Sequence, residues 1–478
     1  MMCAGDRSPE THSEMRVWCD RLTGWLLCGM IIFSPWAFGT TQSWSIQVMN
    51  IGGCALGVIC AVRWLTQRKP RGQRNPWLIT MAALTTLLLG FVVLSAWNAS
   101  ATYLPRECRL EEHVHLSWLP HSYDAPATWK AFWNYLALAC VFWATHHWLA
   151  VADPRAPESR RVPPVSRRIR VLLWVISING ALLALEGIIQ RSSGTPNLLW
   201  FQPTHDNKEA LAQFGPFAYR SNAAQYLNLI WPVTLGFWWW MQRAAWERGR
   251  SRDLRHVLLP CVMIIAAASL FSLSRAGAGV AGLLLVLSCA VLAGRRHAPW
   301  QMRGAALAVG IVTLAAGIFI SWNTLSKRFA DAAGDPMAGR AETYQLAEQM
   351  VRDYPWFGTG PGTFKNLFQI YRNNPEQYWP AQLHNDWMEM RITFGRVGFV
   401  MMLAALALAS LRWIAPGGVP RDGTFLLLTT LALIGCLAHA RVDFPFQIYS
   451  IEFIFVVLAA ILFSSSRAER GSRRNSNE

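Results

Sequence analysis

The chain has 478 residues, of which 53% are hydrophobic and only 15% are charged, well below the roughly 25% charged residues of typical soluble domains. Basic residues (44) outnumber acidic ones (28), which gives a net charge of +16 and a pI of about 9.8. The apolar residues fall in blocks of about 17–22 residues, the length of a bilayer-spanning helix, which excludes a soluble globular enzyme, a disordered chain and a disulfide-stapled scaffold.

Twelve such blocks predict an all-α, polytopic membrane protein with about 12 transmembrane helices, and we treat residues 1–478 as a single integral membrane domain. In chain order the predicted spans are 22–39, 45–63, 77–96, 129–150, 171–190, 222–241, 257–274, 277–294, 304–322, 394–412, 424–440 and 447–464. Because many spans follow the first one, we interpret it as a retained helix rather than as a cleaved signal peptide.

Basic residues cluster in every second gap between the spans. The clusters lie at 63–74, 155–170, 243–255 and 295–303 and in the tail at 467–474. This is the positive-inside pattern, so we expect both termini in the cytoplasm. Nucleic-acid binding is not expected, because no basic stripe with interleaved aromatic residues lies in a foldable soluble segment. The longer loops, near 97–128, 191–221 and 323–393, then lie on the outer side.

The outer loop 323–393 is predicted to contain helical structure. The stretch 339–353 is rich in helix formers and carries an apolar face, and Pro355 ends it. The glycine run Gly358, Gly360 and Gly362 lacks the Lys-Ser/Thr of a phosphate-binding loop, so we interpret it as a backbone turn. A helix, a glycine turn and a histidine just before the next span suggest a cap over an active site.

Three arginines are candidate anion-binding residues near the predicted outer face: Arg220, Arg275 and Arg340. Arg275 gives the clearest signal, because a cation in a tight turn between two apolar spans is costly unless it is paired or near water. Guanidinium groups match phosphate oxygens in a bidentate manner. An ion pair with Glu186 is the structural alternative for Arg275.

His384, which precedes the tenth span, is the best candidate for a general base, since histidine titrates near neutral pH. Asp386 could orient it, although two residues apart on a helix they would not face each other. His439, Arg441 and Asp443 form a second polar cluster, which we interpret as an interfacial ion pair. No set of residues has metal-ligand spacing, so we expect a site without a metal or another cofactor.

Several segments together resemble the bacterial O-antigen ligase and polysaccharide polymerase superfamily. They are FGPFAYRSNAAQYLNLIWP, SLFSLSRAGAGVAGLLLVL, GRAETYQLAEQMVRDYPWFGTGPGTF and LHNDWMEMRITFGRVGF. The resemblance covers residues 215–400, which we take as the core region and which includes the outer loop 323–393. Each motif alone is moderately specific, whereas their order and spacing together are strong.

The resemblance implies a metal-independent glycosyltransferase in the bacterial inner membrane with its active site at the periplasmic face. Its partners would be a glycan donor linked to undecaprenyl diphosphate, a glycolipid or glycan acceptor such as lipid A-core, and membrane lipids. Arg220 and Arg275 would bind the diphosphate, Arg340 would help to neutralise the leaving group, and His384 would act on the acceptor hydroxyl. A polysaccharide polymerase or a protein O-oligosaccharyltransferase of the same superfamily is the alternative.

A membrane transporter is the alternative from another functional class, and a membrane-bound scaffold is a third. A proton-coupled transporter would carry a chain of ionisable groups across the bilayer centre, and inside the predicted spans Glu186 is nearly the only such residue. A scaffold would not need cations at a tight turn between helices. The transferase is therefore the leading hypothesis.

Overall fold

The structure is a computed structural model, and it describes residues 9–66, 75–150, 167–204, 212–246, 254–296, 298–334, 340–372, 381–414 and 423–465. Most of the basic clusters at 63–74 and 155–170, and the whole basic tail, lie outside these residues. Within them the chain forms fourteen α-helices and one two-stranded antiparallel hairpin.

The first half of the chain contains α1 Pro9–Trp36, α2 Ser43–Thr66, α3 Pro76–Trp97, β1 Ala101–Leu104, β2 Arg109–Glu112, α4 Ala125–Ala150, α5 Arg167–Ser192 and α6 Arg220–Trp246. The second half contains α7 Leu258–Phe271, α8 Arg275–Ala293, α9 Trp300–Gly334, α10 Ala341–Asp353, α11 Phe364–Tyr371, α12 Asp386–Leu411, α13 Gly423–His439 and α14 Tyr449–Ser464.

Each of the twelve predicted spans overlaps one long helix, and the all-α, polytopic membrane architecture is confirmed. Seven helical segments of the described chain are long and apolar enough to cross a membrane: α1, α2, α3, α5, α8, α12, and the 18-residue segment Leu254–Phe271 that α7 forms with the 3₁₀ turn before it. The helices α13 and α14 are apolar but shorter. The predicted number of twelve spans is therefore not confirmed.

The helix α6 lies at the centre of the bundle and packs against α5, α7, α8 and α13. Every residue from Ser221 to Trp240 is buried, including the polar Asn222, Gln225 and Asn228. Because neighbouring helices rather than lipid surround it, its surface can carry polar groups that bond to protein. These polar residues lie toward its N-terminal end, where the loops before it bring further polar groups.

The loop 323–393, for which the sequence predicts an outer position, contains the predicted helical structure. The helix α10 runs from Ala341 to Asp353, in agreement with the helix predicted over 339–353, and α11 follows the glycine turn. A separate apolar core joins these two helices to the start of α12. It consists of Ala347, Met350, Phe364, Leu367, Phe368, Leu383 and Ile392.

The glycine turn packs against a break in α12. At Gly395 the backbone leaves the helical conformation (φ 60°, ψ −167°), which frees two carbonyl groups just before it. The amide of Thr359 donates to the carbonyl of Ile392 at 2.8 Å, and that of Gly360 donates to the carbonyl of Thr393 at 3.0 Å. The turn thus satisfies backbone groups that a broken helix would leave unpaired, which is the structural role predicted for it.

Candidate active site at the N-termini of α6 and α8

The N-termini of α6 and α8 meet at one point of the bundle. Their first residues are Arg220 and Arg275, and the hydroxyl oxygens of the adjacent Ser221 and Ser274 lie 3.0 Å apart. Ser274 also caps α8, since its hydroxyl accepts a hydrogen bond from the Gly277 amide at 3.0 Å. Two arginines therefore begin two helices whose positive dipole ends converge, an arrangement that favours an anion.

Small residues allow this close approach. A Cβ atom added at Gly277 would come within 3.0 Å of the Ala224 Cβ, which is closer than two such atoms can lie. The side-chain amide of Asn228 donates to the Gly277 carbonyl at 2.9 Å and ties the two helices together. The small residues after Arg275 therefore place α8 directly against α6.

The next group in this site is a histidine–aspartate pair. His384 Nδ1 lies 3.0 Å from Asp443 Oδ1, and the other carboxylate oxygen accepts a hydrogen bond from Ser221. Burial alone would raise the pKa of Asp443, but the bonds from His384 and Ser221 and the charge of His439 hold this pKa below its usual value. Asp443 is therefore ionised, so it can only accept, and His384 carries its proton on Nδ1.

The backbone of His384 is strained and held in place. Its φ is 57°, and Leu273, just before the α8 cap, has a φ of 62°; such values are uncommon for residues other than glycine and cluster at functional sites. The hydroxyl of Tyr344 on α10 donates to the His384 carbonyl at 3.0 Å. The imidazole packs edge-on against Phe444 with 4.6 Å between ring centroids, which fixes its orientation.

Arg340 reaches the same site from the start of α10. Its guanidinium donates to the Val442 carbonyl at 3.4 Å and is hydrogen-bonded to the Tyr219 hydroxyl. Burial and the charge of Asp443 raise the pKa of Tyr219, although Arg340 and Arg220 oppose this shift. The structure thus brings the four predicted residues to one site. Arg220 and Arg275 are joined by the serines next to them, His384 by Asp443, and Arg340 by the Val442 carbonyl.

Asp386 does not orient His384. Its carboxylate accepts hydrogen bonds from the Phe446 amide at 2.8 Å and the Gln447 side chain at 3.4 Å, and Asp443 takes the position beside the imidazole instead. The predicted second polar cluster is therefore part of this site. His439 Nε2 lies 3.9 Å from Asp443 Oδ2, whereas Arg441 lines a different cavity.

The structure bears on two statements about buried acidic residues. Glu186 does not pair with Arg275, because both of its carboxylate oxygens are buried without a hydrogen-bond partner among the described residues. Nor is Glu186 nearly alone inside the predicted spans, since Glu452 on α14 lines an apolar cavity together with Asp386.

The sequence alone assigns no role to Ser221 or Tyr219, and it does not join Asp443 to His384. Ser221 directly follows Arg220 in a motif that carries the resemblance, so a signal existed for it. Asp443 lies 59 residues from His384, and only the fold joins them. In the part of the chain that the structure describes, no three His, Cys, Asp or Glu residues form a metal-binding group.

Residues 260–403 match the family model described as O-antigen ligase. The match includes Arg275, Arg340 and His384, whereas Arg220 and Asp443 lie outside it. No curated protein sequence matches the chain. The resemblance carried by the sequence motifs is thereby confirmed over residues 260–403, where this membrane protein is similar to O-antigen ligases.

Proposed function

We propose that the protein transfers a glycan from a polyprenyl-diphosphate carrier, undecaprenyl diphosphate in bacteria, to the hydroxyl group of an acceptor such as lipid A-core. The reaction takes place at the periplasmic face of the inner membrane, with both termini in the cytoplasm. One observation carries the proposal: the arginine-bearing N-termini of α6 and α8 meet beside a buried aspartate that orients a histidine.

Arg220 and Arg275 bind the diphosphate of the donor. The two helix starts add the positive ends of their dipoles and place backbone amides toward an anion. Arg340, bonded to the Tyr219 hydroxyl and the Val442 carbonyl, adds a third cation at the edge of the site. Fixed cations that neutralise the departing diphosphate lower the barrier where its negative charge develops.

His384 takes the proton of the acceptor hydroxyl. Since Nδ1 donates to Asp443, Nε2 carries a free lone pair, and it makes no hydrogen bond among the described residues. The acceptor oxygen forms a bond to the anomeric carbon of the glycan while the bond from that carbon to the diphosphate oxygen breaks. The proton goes to Nε2, and the polyprenyl diphosphate leaves with the electron pair.

A deletion experiment distinguishes the possible acceptors. Undecaprenyl-diphosphate glycans from the native host would be sized by mass spectrometry with and without the gene. Accumulated long polymers indicate a ligase, which we expect, and accumulated single repeat units indicate a polymerase. Unchanged lipid-linked glycans would contradict glycan transfer and favour the transporter.

Substitution of the proposed site residues tests the mechanism. Alanine at Arg220, Arg275 or His384 should each lower glycan transfer by at least roughly a hundredfold at normal protein abundance, as loss of a positioned charge or base does. Arg352→Ala is the control, because Arg352 is exposed at the end of α10 outside the site. Chelation with EDTA should leave transfer unchanged. Full activity of all three site variants would overturn the proposal.

A further inference from the structure

A second cavity with two cations lies at the same end of the bundle. Arg391 on α12 and Arg441, just after α13, line it together with Trp387, Met388 and Phe399. Both arginines are exposed, and no carboxylate in the described ranges pairs with either of them. Two like charges that share a cavity without an acidic partner repel each other, so an anion that binds between them is stabilised.

An apolar cavity of ≈ 240 Å³ adjoins this cationic cavity. The helices α3, α4, α12, α13 and α14 line it with mainly aliphatic and aromatic side chains, and Asp386 and Glu452 are the two carboxylic residues at its wall. Its volume is more than ten times the roughly 15 Å³ that one water requires, and apolar walls disfavour water. A hydrocarbon chain suits such a space.

Trp387 belongs to the walls of both cavities. Its indole Nε1–H donates to the Leu437 carbonyl at 2.9 Å, and its ring packs edge-on against Phe399. The indole is thus fixed between a cationic region and an apolar one, the usual position of tryptophan at a membrane interface. A charged head beside a hydrocarbon chain is the chemistry of an anionic lipid.

We propose that these two cavities hold the acceptor glycolipid. A phosphate group of this lipid binds Arg391 and Arg441, and part of one acyl chain occupies the apolar cavity beside Trp387. The inference rests on the proposed function, because it assigns the second substrate of the same transfer reaction.

The position of the cationic cavity relative to His384 favours the acceptor rather than the donor as its ligand. The donor diphosphate is accommodated by Arg220 and Arg275 at the helix starts, next to Ser221 and Ser274. Arg441 instead lies two residues before Asp443, the partner of His384. A transferase that joins two lipid-borne substrates needs a second lipid site near the same base, and the cavity with Arg391 and Arg441 lies in that position.

Binding to the full-length protein in nanodiscs tests this inference. The probes are diphosphoryl lipid A, the same lipid after removal of both phosphates, and phosphatidylglycerol, and native mass spectrometry measures the bound lipid. The variant R391Q/R441Q should bind diphosphoryl lipid A at least roughly tenfold more weakly, since each charge-assisted hydrogen bond contributes about a factor of ten. R352Q is the matched control and should bind it normally.

The dephosphorylated lipid should bind weakly and equally to wild type and R391Q/R441Q. Equal affinity of wild type and this variant for diphosphoryl lipid A would overturn the inference. Phosphatidylglycerol that binds as tightly as lipid A, with the same dependence on the two arginines, would also overturn it by showing an unselective phospholipid site.

The H384A variant separates this inference from the proposed function. Its base is removed, but its lipid site is intact, so it should bind diphosphoryl lipid A as the wild type does while it transfers no glycan. Lost lipid binding in R391Q/R441Q together with unimpaired transfer by H384A would leave the lipid site standing and contradict the proposed function. Normal lipid binding in R391Q/R441Q together with inactive H384A would contradict only the lipid site.

Discussion

A single residue, Asp443, connects the histidine of the proposed site with the start of α6. One carboxylate oxygen faces His384, and the other accepts from Ser221 beside Arg220. An aspartate in this position selects the histidine tautomer and stabilises the imidazolium that forms when a proton is taken up. Asp386, although closer in sequence, is bonded to the Phe446 amide and cannot do this.

We predict that Asp443→Asn lowers glycan transfer by about 10²–10⁴-fold, the range found when the partner of a general base is removed or its tautomer is disturbed. Asparagine has nearly the same shape, so the protein should still fold. Transfer would be measured in membranes at matched protein abundance. A variant that keeps more than half of the wild-type rate would show that His384 acts without this partner.

Asp443 should also make stability depend on pH. Its pKa is lower in the folded protein than in the unfolded chain, where it is near 3.9. Its stabilising contribution is therefore complete above about pH 4 and is lost as the pH falls through the lower, folded-state pKa. The unfolding temperatures of wild type and Asp443→Asn in detergent should differ at pH 7 and converge in acid. A constant difference would contradict this.

The crossing of the helices α6 and α8 sets the distance between Arg220 and Arg275. We predict that Gly277→Ala pushes these helices apart, because the new methyl group collides with Ala224. Overpacking of this kind costs about 1–3 kcal/mol, and displacement of a binding residue by about 1 Å can lower a rate roughly a hundredfold. Transfer activity and unfolding temperature would be measured together.

Gly279→Ala is the matched control for this prediction. Gly279 lies on the same helix, two residues further on, and an added Cβ would have no atom within 4 Å. Its activity should equal that of the wild type. If both variants lost activity to the same degree, helix propensity or expression rather than the crossing would be the cause.

The sequence predicted the helices better than their connections. Apolar blocks of bilayer length must form helices, because lipid offers no partner for backbone groups, and every block overlaps one. The extension of α9 to Gly334, the hairpin of β1 and β2, and the break at Gly395 were not predicted. These features depend on contacts between distant segments, such as the glycine turn against α12.

The candidate site could be predicted only in part, because some of its contacts form only when the helices assemble. Arg220, Arg275, Arg340 and His384 lie next to spans in motifs, and charge beside hydrocarbon is visible in a sequence. The pairing of His384 with Asp443 is not visible, because it needs the end of α13 to meet the start of α12. The apolar cavity beside Trp387 likewise requires five helices to assemble.

The orientation of the molecule can be tested with a native cysteine. Cys108 is exposed at the turn of the hairpin, whereas the other described cysteines are buried or half-buried in helices. The hairpin shares its end of the bundle with the site: the Tyr123 amide donates to the Thr359 carbonyl at 2.9 Å, and Thr359 is bonded to α12. We predict that a membrane-impermeant maleimide labels Cys108 in cells whose outer membrane alone is permeabilised.

Cys108→Ser is the control and should abolish this labelling, because thiols within spans are shielded from water. Labelling that appears only after the inner membrane is disrupted would place the hairpin in the cytoplasm. Because α12 and the glycine turn join the hairpin to the site, such a result would also move His384 and the three arginines to the cytoplasmic side. A transferase that acts on periplasmic glycans could not then use this site, so one labelling experiment tests both topology and function.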